Sequence, residues 1–198
     1  MLGDGFHDIP PGKVAMIVTY LEMRKPPDLS AVSLPNGITF EPVQADPAWF
    51  RDIFRRVGSR EWLWYGRLKL DDAALADILN DPLVEHYTLR QNGQDEALLE
   101  LDFRQDRACE LAYFGLTQGL IGTGSGRFLM NEAINRAWSK PIDRFHVHTC
   151  TLDSPQALAF YRRSGFVPAR QQVEIDDDPR VTGLLPRDAA PNAPIFDG

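Results

Sequence analysis

The sequence predicts an α/β layered domain built on a mixed β-sheet. Short runs of β-branched and apolar residues, typical of strands, alternate with segments whose apolar residues recur at helical spacing. Their order is two strands, two helices, three strands, a helix, a strand, a helix and a strand, which favours layered α/β packing. With 198 residues, the chain is long enough to form one domain with its own core.

The first elements are two strands and a helix. Residues 14–23 and 38–43 are rich in β-branched and apolar side chains, which predicts the strands. Asp46 is suited to cap the helix, Pro47 suits its first position, and the helix is expected to end at Gly58. Its predicted buried stripe consists of Trp49, Phe50, Phe54 and Val57.

A second helix and a β-hairpin are predicted next. Asp71 stands near the start of this helix, and its apolar face is expected to carry Ala74, Leu75 and Ile78. Residues 84–90 and 97–103 predict two strands. The Asn92-Gly93 dipeptide between them is typical of a tight hairpin turn.

The last elements alternate between strand and helix. The predicted helices span residues 124–138 and 155–164, and Gly165 ends the second of them. The predicted strands are 109–116, 145–150 and 166–175.

Both ends of the chain predict loose segments around a single domain of residues 13–175. Residues 1–12 are expected to form a flexible leader. From Asp176 onward the sequence is acidic, then rich in Pro and Ala. Residues 176–198 therefore predict a tail that is poorly ordered or packs on something else.

Composition and charge narrow the expected partners. The formal net charge of −7 argues against a broad nucleic-acid surface. No run of residues is apolar and long enough to span a bilayer, and the first ten residues do not resemble a signal peptide. Cys109 and Cys150 stand alone, without a CxxC motif, so a reducing, cytoplasmic location is expected.

The segment LTQGLIGTGSGRFLM, residues 116–130, is the most informative one. Gly122, Gly124 and Gly126 directly precede a helix-forming run. Glycine lets the backbone approach a ligand, and a helix start offers free N–H groups with a partial positive charge. Together they predict a site for a phosphate or pyrophosphate group.

This loop has three alternative interpretations, and its sequence fits the first two poorly. A dinucleotide-binding loop would be G-x-G-x-x-G after a first strand, whereas this G-x-G-x-G lies past mid-chain. A P-loop needs a lysine, and no lysine follows Gly126. A glycine-rich turn without any ligand is the third alternative.

A second motif, LAFYRRSGF at residues 158–166, follows the loop at the distance of one helix and one strand. The pair resembles the GNAT superfamily of N-acetyltransferases, in which [RQ]-x-x-G-x-[GA] is followed by N-x-x-A-x-x-x-Y-x-x-x-G-F. The second pattern is matched by Ala157, Tyr161, Gly165 and Phe166. The resemblance covers residues 38–175 and leaves the strand at 14–23 outside it.

The resemblance implies a mostly antiparallel mixed sheet with helices on both faces, and acetyl-CoA as co-substrate without a metal. Phe114 and Leu116 would flank the pantetheine arm. The implied pyrophosphate-binding residues are Gly122, Thr123, Gly124, Ser125, Gly126 and Arg127. Ile121 stands where the family has Arg or Gln, so backbone amides must carry more of the binding. Ser154 replaces the usual Asn at the cofactor with a shorter polar side chain.

Acetyl transfer to an amine needs a base for the amine and an acid for the leaving thiolate. Tyr161 matches the family's Tyr and is the expected acid, with a core aromatic as the alternative. Glu110, on the strand before the loop, is the expected base, and Glu100 and Asp102 are its rivals. Alternation predicts that one face of this strand carries Glu110, Ala112 and Phe114.

Two further clusters attract attention. A zinc site is one interpretation of the alternating His146, His148 and Cys150, but a half-buried strand face is favoured because no paired ligand motif accompanies them. The acceptor pocket or the core is expected to contain Trp62, Trp64 and Tyr65.

The leading hypothesis is an acetyl-CoA-dependent N-acetyltransferase that acts on an amine of a small molecule or protein. A catalytically inactive CoA- or acyl-CoA-binding sensor or scaffold is the alternative, and a structural zinc protein is a third. No nucleic-acid or membrane partner is expected. The extra N-terminal strand and the tail are candidate surfaces for a homodimer.

Overall fold

One mixed, mostly antiparallel sheet of eight strands organises residues 3–198, the part of the chain that the computed structural model describes. The strands are β1 (Lys13–Met23), β2 (Ile38–Val43), β3 (Val84–Gln91), β4 (Gln94–Asp95), β5 (Ala97–Asp102), β6 (Ala108–Leu116), β7 (Arg144–Cys150) and β8 (Val167–Asp177). The helices are α1 (Pro47–Phe54), α2 (Arg60–Trp62), α3 (Asp72–Leu79), α4 (Ser125–Trp138) and α5 (Ala157–Arg163). The predicted fold class is confirmed.

The strand order is β2-β3-β5-β6-β7-β1-β8, and β4 pairs with β3. The predicted hairpin turn is present, with left-handed φ angles at Asn92 and Gly93 of 51° and 77°. β1 lies between β7 and β8 and is antiparallel to both. Since both edges of β1 are paired, it offers no free edge to a second copy of the chain. The N-terminal strand is thus an internal part of the sheet.

Two irregularities in β6 shape the middle of the sheet. Leu101 pairs with Leu111, whereas Glu100 pairs with Tyr113, so Ala112 is the extra residue of a β-bulge. β6 and β7 are parallel, and their pairing ends at Glu110, although both strands continue. Beyond that point a gap opens in the sheet.

The helices cover both faces of the sheet, and each face has its own apolar core. α4 and α5 pack over one face, where the core contains Leu129, Ile134, Phe145 and Phe166. α1 and α3 pack over the other face, where the core contains Phe50, Phe54, Leu75 and Leu98. In residues 3–198 none of these helices is long and apolar enough to cross a membrane.

The first helix differs from its prediction at both its end and its buried face. Asp46 caps it as predicted, accepting a hydrogen bond from the Trp49 amide at 2.8 Å. The helix does not end at Gly58, because a π-helical turn (Arg55–Ser59) leads into α2. Ile53 is fully buried, while Trp49 is only half-buried.

The two terminal segments that were predicted to be loose behave differently from each other. Residues 3–10 are exposed and form no helix or strand, and the first two residues of the predicted leader lie outside the described residues. The tail does not hang free. Leu185, Ala189 and Ala190 are buried against the core beneath α1 and α3.

Arg180 holds this tail in place. Its side chain is only 1% exposed and pairs with Asp178 at 2.7 Å. Its Nη1 also donates to the carbonyl oxygens of Ala189, Ala190 and Ala193 at 2.8–3.3 Å. One guanidinium therefore satisfies a buried carboxylate and closes the tail into a loop.

Replacing Arg180 by Ala should destabilise the protein by about 3–5 kcal/mol, because Asp178 would remain buried without its cation. Urea unfolding measures the change. Arg187→Ala is the matched control: its ion pair with Asp197 is exposed, so we expect a loss below about 1 kcal/mol. Equal losses for the two variants would contradict the role assigned to Arg180.

Candidate active site

The gap between β6 and β7 is the mouth of a cleft of about 500 Å³. β6 lines one side of it from Leu111 to Leu116, and β7 lines the other with Val147, His148 and Cys150. The glycine-rich loop and the start of α4 close one end. The segment around α2 and the end of β8 close the other. The cleft thus connects the predicted phosphate site to the predicted acceptor side.

The glycine-rich loop has the backbone conformation that glycine was expected to supply. Gly122 and Gly124 have left-handed φ angles of 80° and 90°. Within residues 3–198 the amides of Gly122, Gly124 and Gly126 donate to no acceptor. All three glycines line the cleft. The loop therefore presents free N–H groups, at the positive end of α4, to the cleft.

The hydroxyl groups of the loop face inward. The Thr123 hydroxyl donates to the Leu120 carbonyl at 2.8 Å and lies 2.8 Å from the Ser125 hydroxyl. Ser125 is fully buried. These two predicted cofactor residues shape the loop through their side chains, which leaves the backbone as their contribution to a ligand.

Other predicted cofactor residues meet at the same end of the cleft. Phe114, Leu116, Arg127 and Ser154 all line it. The Arg127 guanidinium bonds to the Ser164 hydroxyl at 3.0 Å and lies 5.1 Å from the centre of the Phe160 ring. Arg163 also lines the cleft and was missed, although its cation stands within the LAFYRRSGF motif.

Tyr161 lies on α5 and borders the cleft. Its ring packs edge-on against Phe114, Phe160 and Phe166. Burial, with a smaller effect from Asp153, raises its pKa above the ordinary tyrosine range. The hydroxyl therefore keeps its proton at neutral pH, as a proton donor must.

Glu110 occupies the last paired position of β6 and contacts His148 across the gap. Its Oε1 accepts a hydrogen bond from His148 Nδ1 at 3.2 Å. This bond lowers the pKa of Glu110 and raises the pKa of His148. The His148 side chain is 47% exposed and borders the cleft, whereas that of Glu110 is 24% exposed and does not.

The rival carboxylates are engaged elsewhere. Glu100 is fully buried and bonds to Arg67 at 2.5 Å and to His86 at 3.1 Å. Asp102 pairs with Arg104. Neither borders the cleft.

The predicted common face of β6 is wrong, because the bulge at Ala112 reverses the alternation. Phe114 stacks on Phe160 of α5, at 5.6 Å between ring centres, on one side of the sheet. Glu110 points to the opposite side, with His148. A single inserted residue therefore separates a cofactor-side aromatic from the carboxylate.

The aromatic cluster lines the far end of the cleft, with Trp62, Trp64 and Tyr65 all at its wall. The Trp64 indole N–H donates to Asp153 at 2.7 Å. Gly58 makes room for this ring, since an added Cβ would stand 2.0 Å from it. Gly115 similarly makes room for Val57, at 2.3 Å.

Charged groups complete this far end. Asp176, at the end of β8, accepts hydrogen bonds from Lys69 at 2.5 Å and from the Tyr65 hydroxyl at 3.1 Å. Glu174 borders the cleft and forms no ion pair with any described residue. Neither acid was among the predicted site residues: Asp176 was assigned to the start of the tail, and Glu174 lies within the predicted last strand, with no motif around it.

The alternating strand face contains no metal cluster. His146, His148 and Cys150 lie on one side of β7 as predicted, yet across residues 3–198 no three His, Cys, Asp or Glu side chains are arranged to hold a metal ion. Burial raises the pKa of Cys150 to about 11. Its thiol is therefore a poor nucleophile at neutral pH.

Comparison with known proteins identifies the fold. No protein-family model matches the chain. A segment of 67 residues is 36% identical to a mycothiol acetyltransferase from Jonesia denitrificans, covering 34% of this chain and 21% of that protein. A GCN5-related N-acetyltransferase from Kribbella flavida superposes with a TM-score of 0.56 at 18% identity, covering 85% of this chain and 60% of that one. A GNAT family acetyltransferase from Elizabethkingia anophelis with acetyl-CoA bound gives 0.53 at 17% identity, covering 69% and 80%.

The protein has the fold of the GCN5-related N-acetyltransferases, so the resemblance inferred from the loop and the LAFYRRSGF motif is confirmed at the level of the fold. The chain spans about a fifth of the length of the mycothiol acetyltransferase and three fifths of the Kribbella protein.

Proposed function

We propose that the protein is an acetyl-CoA-dependent N-acetyltransferase. The observation that carries the proposal is the continuous cleft, which has free glycine amides at one end and Tyr161 and His148 along its walls. A pyrophosphate matches the amides, and a thioester arm matches the gap between the two strands. An amine then reaches the thioester from the far end.

The cofactor would lie along β6 with its diphosphate on the glycine loop. The amides of Gly122, Gly124 and Gly126 would donate hydrogen bonds to phosphate oxygens, as the start of a helix favours anions. Arg127 and Arg163 would add charge at that end. Because Ile121 has no polar group, the binding would depend strongly on the backbone.

The reaction would be a direct attack of the amine on the thioester carbonyl. The amine nitrogen forms the new bond to carbon as it loses a proton, and the carbon–sulfur bond then breaks. Tyr161 protonates the departing thiolate, while the amine proton is taken up beside β7, where His148 lines the cleft and contacts Glu110. The high pKa of the Cys150 thiol favours this direct route over an acetyl-cysteine intermediate.

The acceptor would bind at the aromatic end. Trp62, Trp64 and Tyr65 offer flat surfaces for an apolar body or a cation, and Glu174 offers a negative charge without an internal partner. We infer that the acceptor is a small amine that carries positive charge when it approaches.

Calorimetry with acetyl-CoA tests the first half of the proposal, and thiol release with a panel of amines tests the second. We expect Gly124→Ala to weaken acetyl-CoA binding about tenfold, or ~1.4 kcal/mol, because φ at this position is 90°. Gly119→Ala is the control, as its Cβ would meet nothing within 4 Å. Binding without transfer to any amine would favour a sensor or scaffold, and no binding would refute both functions.

Replacing Tyr161 by Phe should lower turnover about a hundredfold and leave the acetyl-CoA affinity nearly unchanged, because only the proton donor is removed. Steady-state kinetics and calorimetry measure the two quantities. Phe160→Leu is a control for packing, since Phe160 stacks on Phe114 and has no hydroxyl proton to donate. Full turnover by the Tyr161 variant would exclude it as the acid.

Replacing Glu174 by Gln should raise KM for spermidine more than for 2-phenylethylamine, because the neutral side chain attracts a polycation less strongly. We expect an increase of about fivefold for spermidine at low salt. Asp77→Asn, which removes an exposed charge from α3, should leave both KM values unchanged. Equal effects of both substitutions would indicate only a loss of overall negative charge.

A further inference from the structure

We propose that His148 is the group that takes the proton from the acceptor amine, and that Glu110 is its positioning residue. This inference rests on the proposed function and assigns the base that the resemblance placed at Glu110. Its foundation is the place where β6 and β7 part. There Glu110 stands opposite His146 in the last paired register, and His148 is the next residue on the same face of β7.

The hydrogen bond fixes which imidazole nitrogen is available. A carboxylate only accepts, so the His148 Nδ1 that lies 3.2 Å from Glu110 carries the hydrogen. In the neutral ring the free lone pair is then on Nε2. Because the His148 side chain is 47% exposed and borders the cleft, this lone pair is open to a ligand there.

The ring is held from its other side as well. Tyr20 of β1 packs on His148 with 5.6 Å between ring centres, and Arg170 of β8 lies 4.1 Å from the Tyr20 ring centre. This stack exists because β1 lies between β7 and β8. The internal N-terminal strand thus supplies one wall for the imidazole, and β6 supplies its hydrogen-bond partner.

The charges around His148 favour a proton on it. The titratable and charged groups that face it are Glu110 on β6, Asp153 after β7, Glu174 and Arg170 on β8, Tyr20 on β1 and the neighbouring His146 and Cys150. Glu110 is the main cause of the raised pKa of His148, with contributions from Asp153 and Glu174. The raised pKa makes His148 a stronger base than an ordinary imidazole, whereas the lowered pKa of Glu110 makes its carboxylate a weaker base.

A second histidine–glutamate pair shows why exposure matters. His86 lies 3.1 Å from Glu100, and both side chains are sealed from solvent. Arg67 also binds Glu100, so that carboxylate is already neutralised. Only the His148–Glu110 pair combines an oriented imidazole with access to the cleft among the residues described here.

In the proposed step the acceptor nitrogen first releases its ammonium proton to water and becomes neutral. Its lone pair then forms the bond to the thioester carbon, while an N–H bond breaks and that proton moves to Nε2 of His148. The carbon–sulfur bond then breaks, and the thiolate takes the phenolic proton of Tyr161. Water returns the proton from His148 to Tyr161, which restores both groups. Glu110 stays ionised and stabilises the imidazolium.

The test is the pH dependence of kcat/KM with acetyl-CoA and two amines of different pKa, tryptamine and 4-methoxyaniline. A limb that belongs to His148 stays at the same pH for both amines, whereas a limb that belongs to the acceptor moves. We expect a shared limb above the ordinary histidine pKa. In Glu110→Gln it should shift down by about one pH unit, because the carboxylate no longer supports the imidazolium.

His148→Gly should lower turnover about a hundredfold or more, and added imidazole should restore part of it. Calorimetry with acetyl-CoA confirms that the variant is folded. If the glycine variant does not fold, proton NMR titration of His148 in the wild-type protein and in Glu110→Gln tests whether Glu110 supports the imidazolium. His7→Gln helps to assign the His148 signal, because it removes the signal of His7, which is exposed in the leader.

The outcomes separate the two proposals. A wild-type protein that neither binds acetyl-CoA nor releases thiol would refute the proposed function, and this inference with it. An active wild-type protein whose His148→Gly variant keeps its turnover, or whose pH limb does not match the NMR titration of His148, would overturn this inference alone and return the base role to Glu110.

Discussion

The end of pairing between two parallel strands is the constraint on which the rest of this structure depends. β6 and β7 share hydrogen bonds only as far as Glu110 and His146, and most of the residues beyond that point line a cleft. A gap in a sheet leaves polar backbone groups without partners, which is costly unless water or a ligand satisfies them. Large side chains pack closely beside it: a Cβ at Gly115 would stand 2.3 Å from Val57 and 3.3 Å from Trp64.

The elements on the two sides of the gap contribute different groups to the cleft. α4 and α5 pack on one face of the sheet and bring the glycine loop, Arg127 and Tyr161 to the cleft. The segment around α2 and the end of β8 bring aromatic and acidic groups from the other side. The β-bulge at Ala112 connects the two sets, because it lets one strand direct Phe114 to the first face and Glu110 to the second. In the proposed function, cofactor and acceptor are therefore recognised by separate surfaces that meet at the thioester.

Local sequence signals predicted the helices, strands and turns well. Features that depend on pairing between distant segments could not be predicted. The Asp46 cap, the Asn92-Gly93 turn and the glycine loop are determined within a few residues, and all three are present. The bulge at Ala112 depends on how β5 aligns with β6, so alternation alone gave the wrong face for Phe114. Gly58 was predicted to end a helix. In the structure a side chain at this position would clash with Trp64, which explains why the residue is a glycine. The role of Arg180 could not be predicted, since apart from Asp178 its partners are carbonyl groups 9 to 14 residues away along the tail.

The most important feature that the sequence could not predict is the position of β1 in the sheet. Taken alone, residues 14–23 are an extra strand before a familiar motif, yet they fill the centre of one half of the sheet. Because β1 pairs with β7 along six positions from Val18 to Met23, it fixes the strand that carries His148. Its own Tyr20 then packs against the imidazole. A histidine at the edge of an open gap would otherwise be free to rotate into solvent, so the orientation of the proposed base depends on an element more than a hundred residues earlier in the chain.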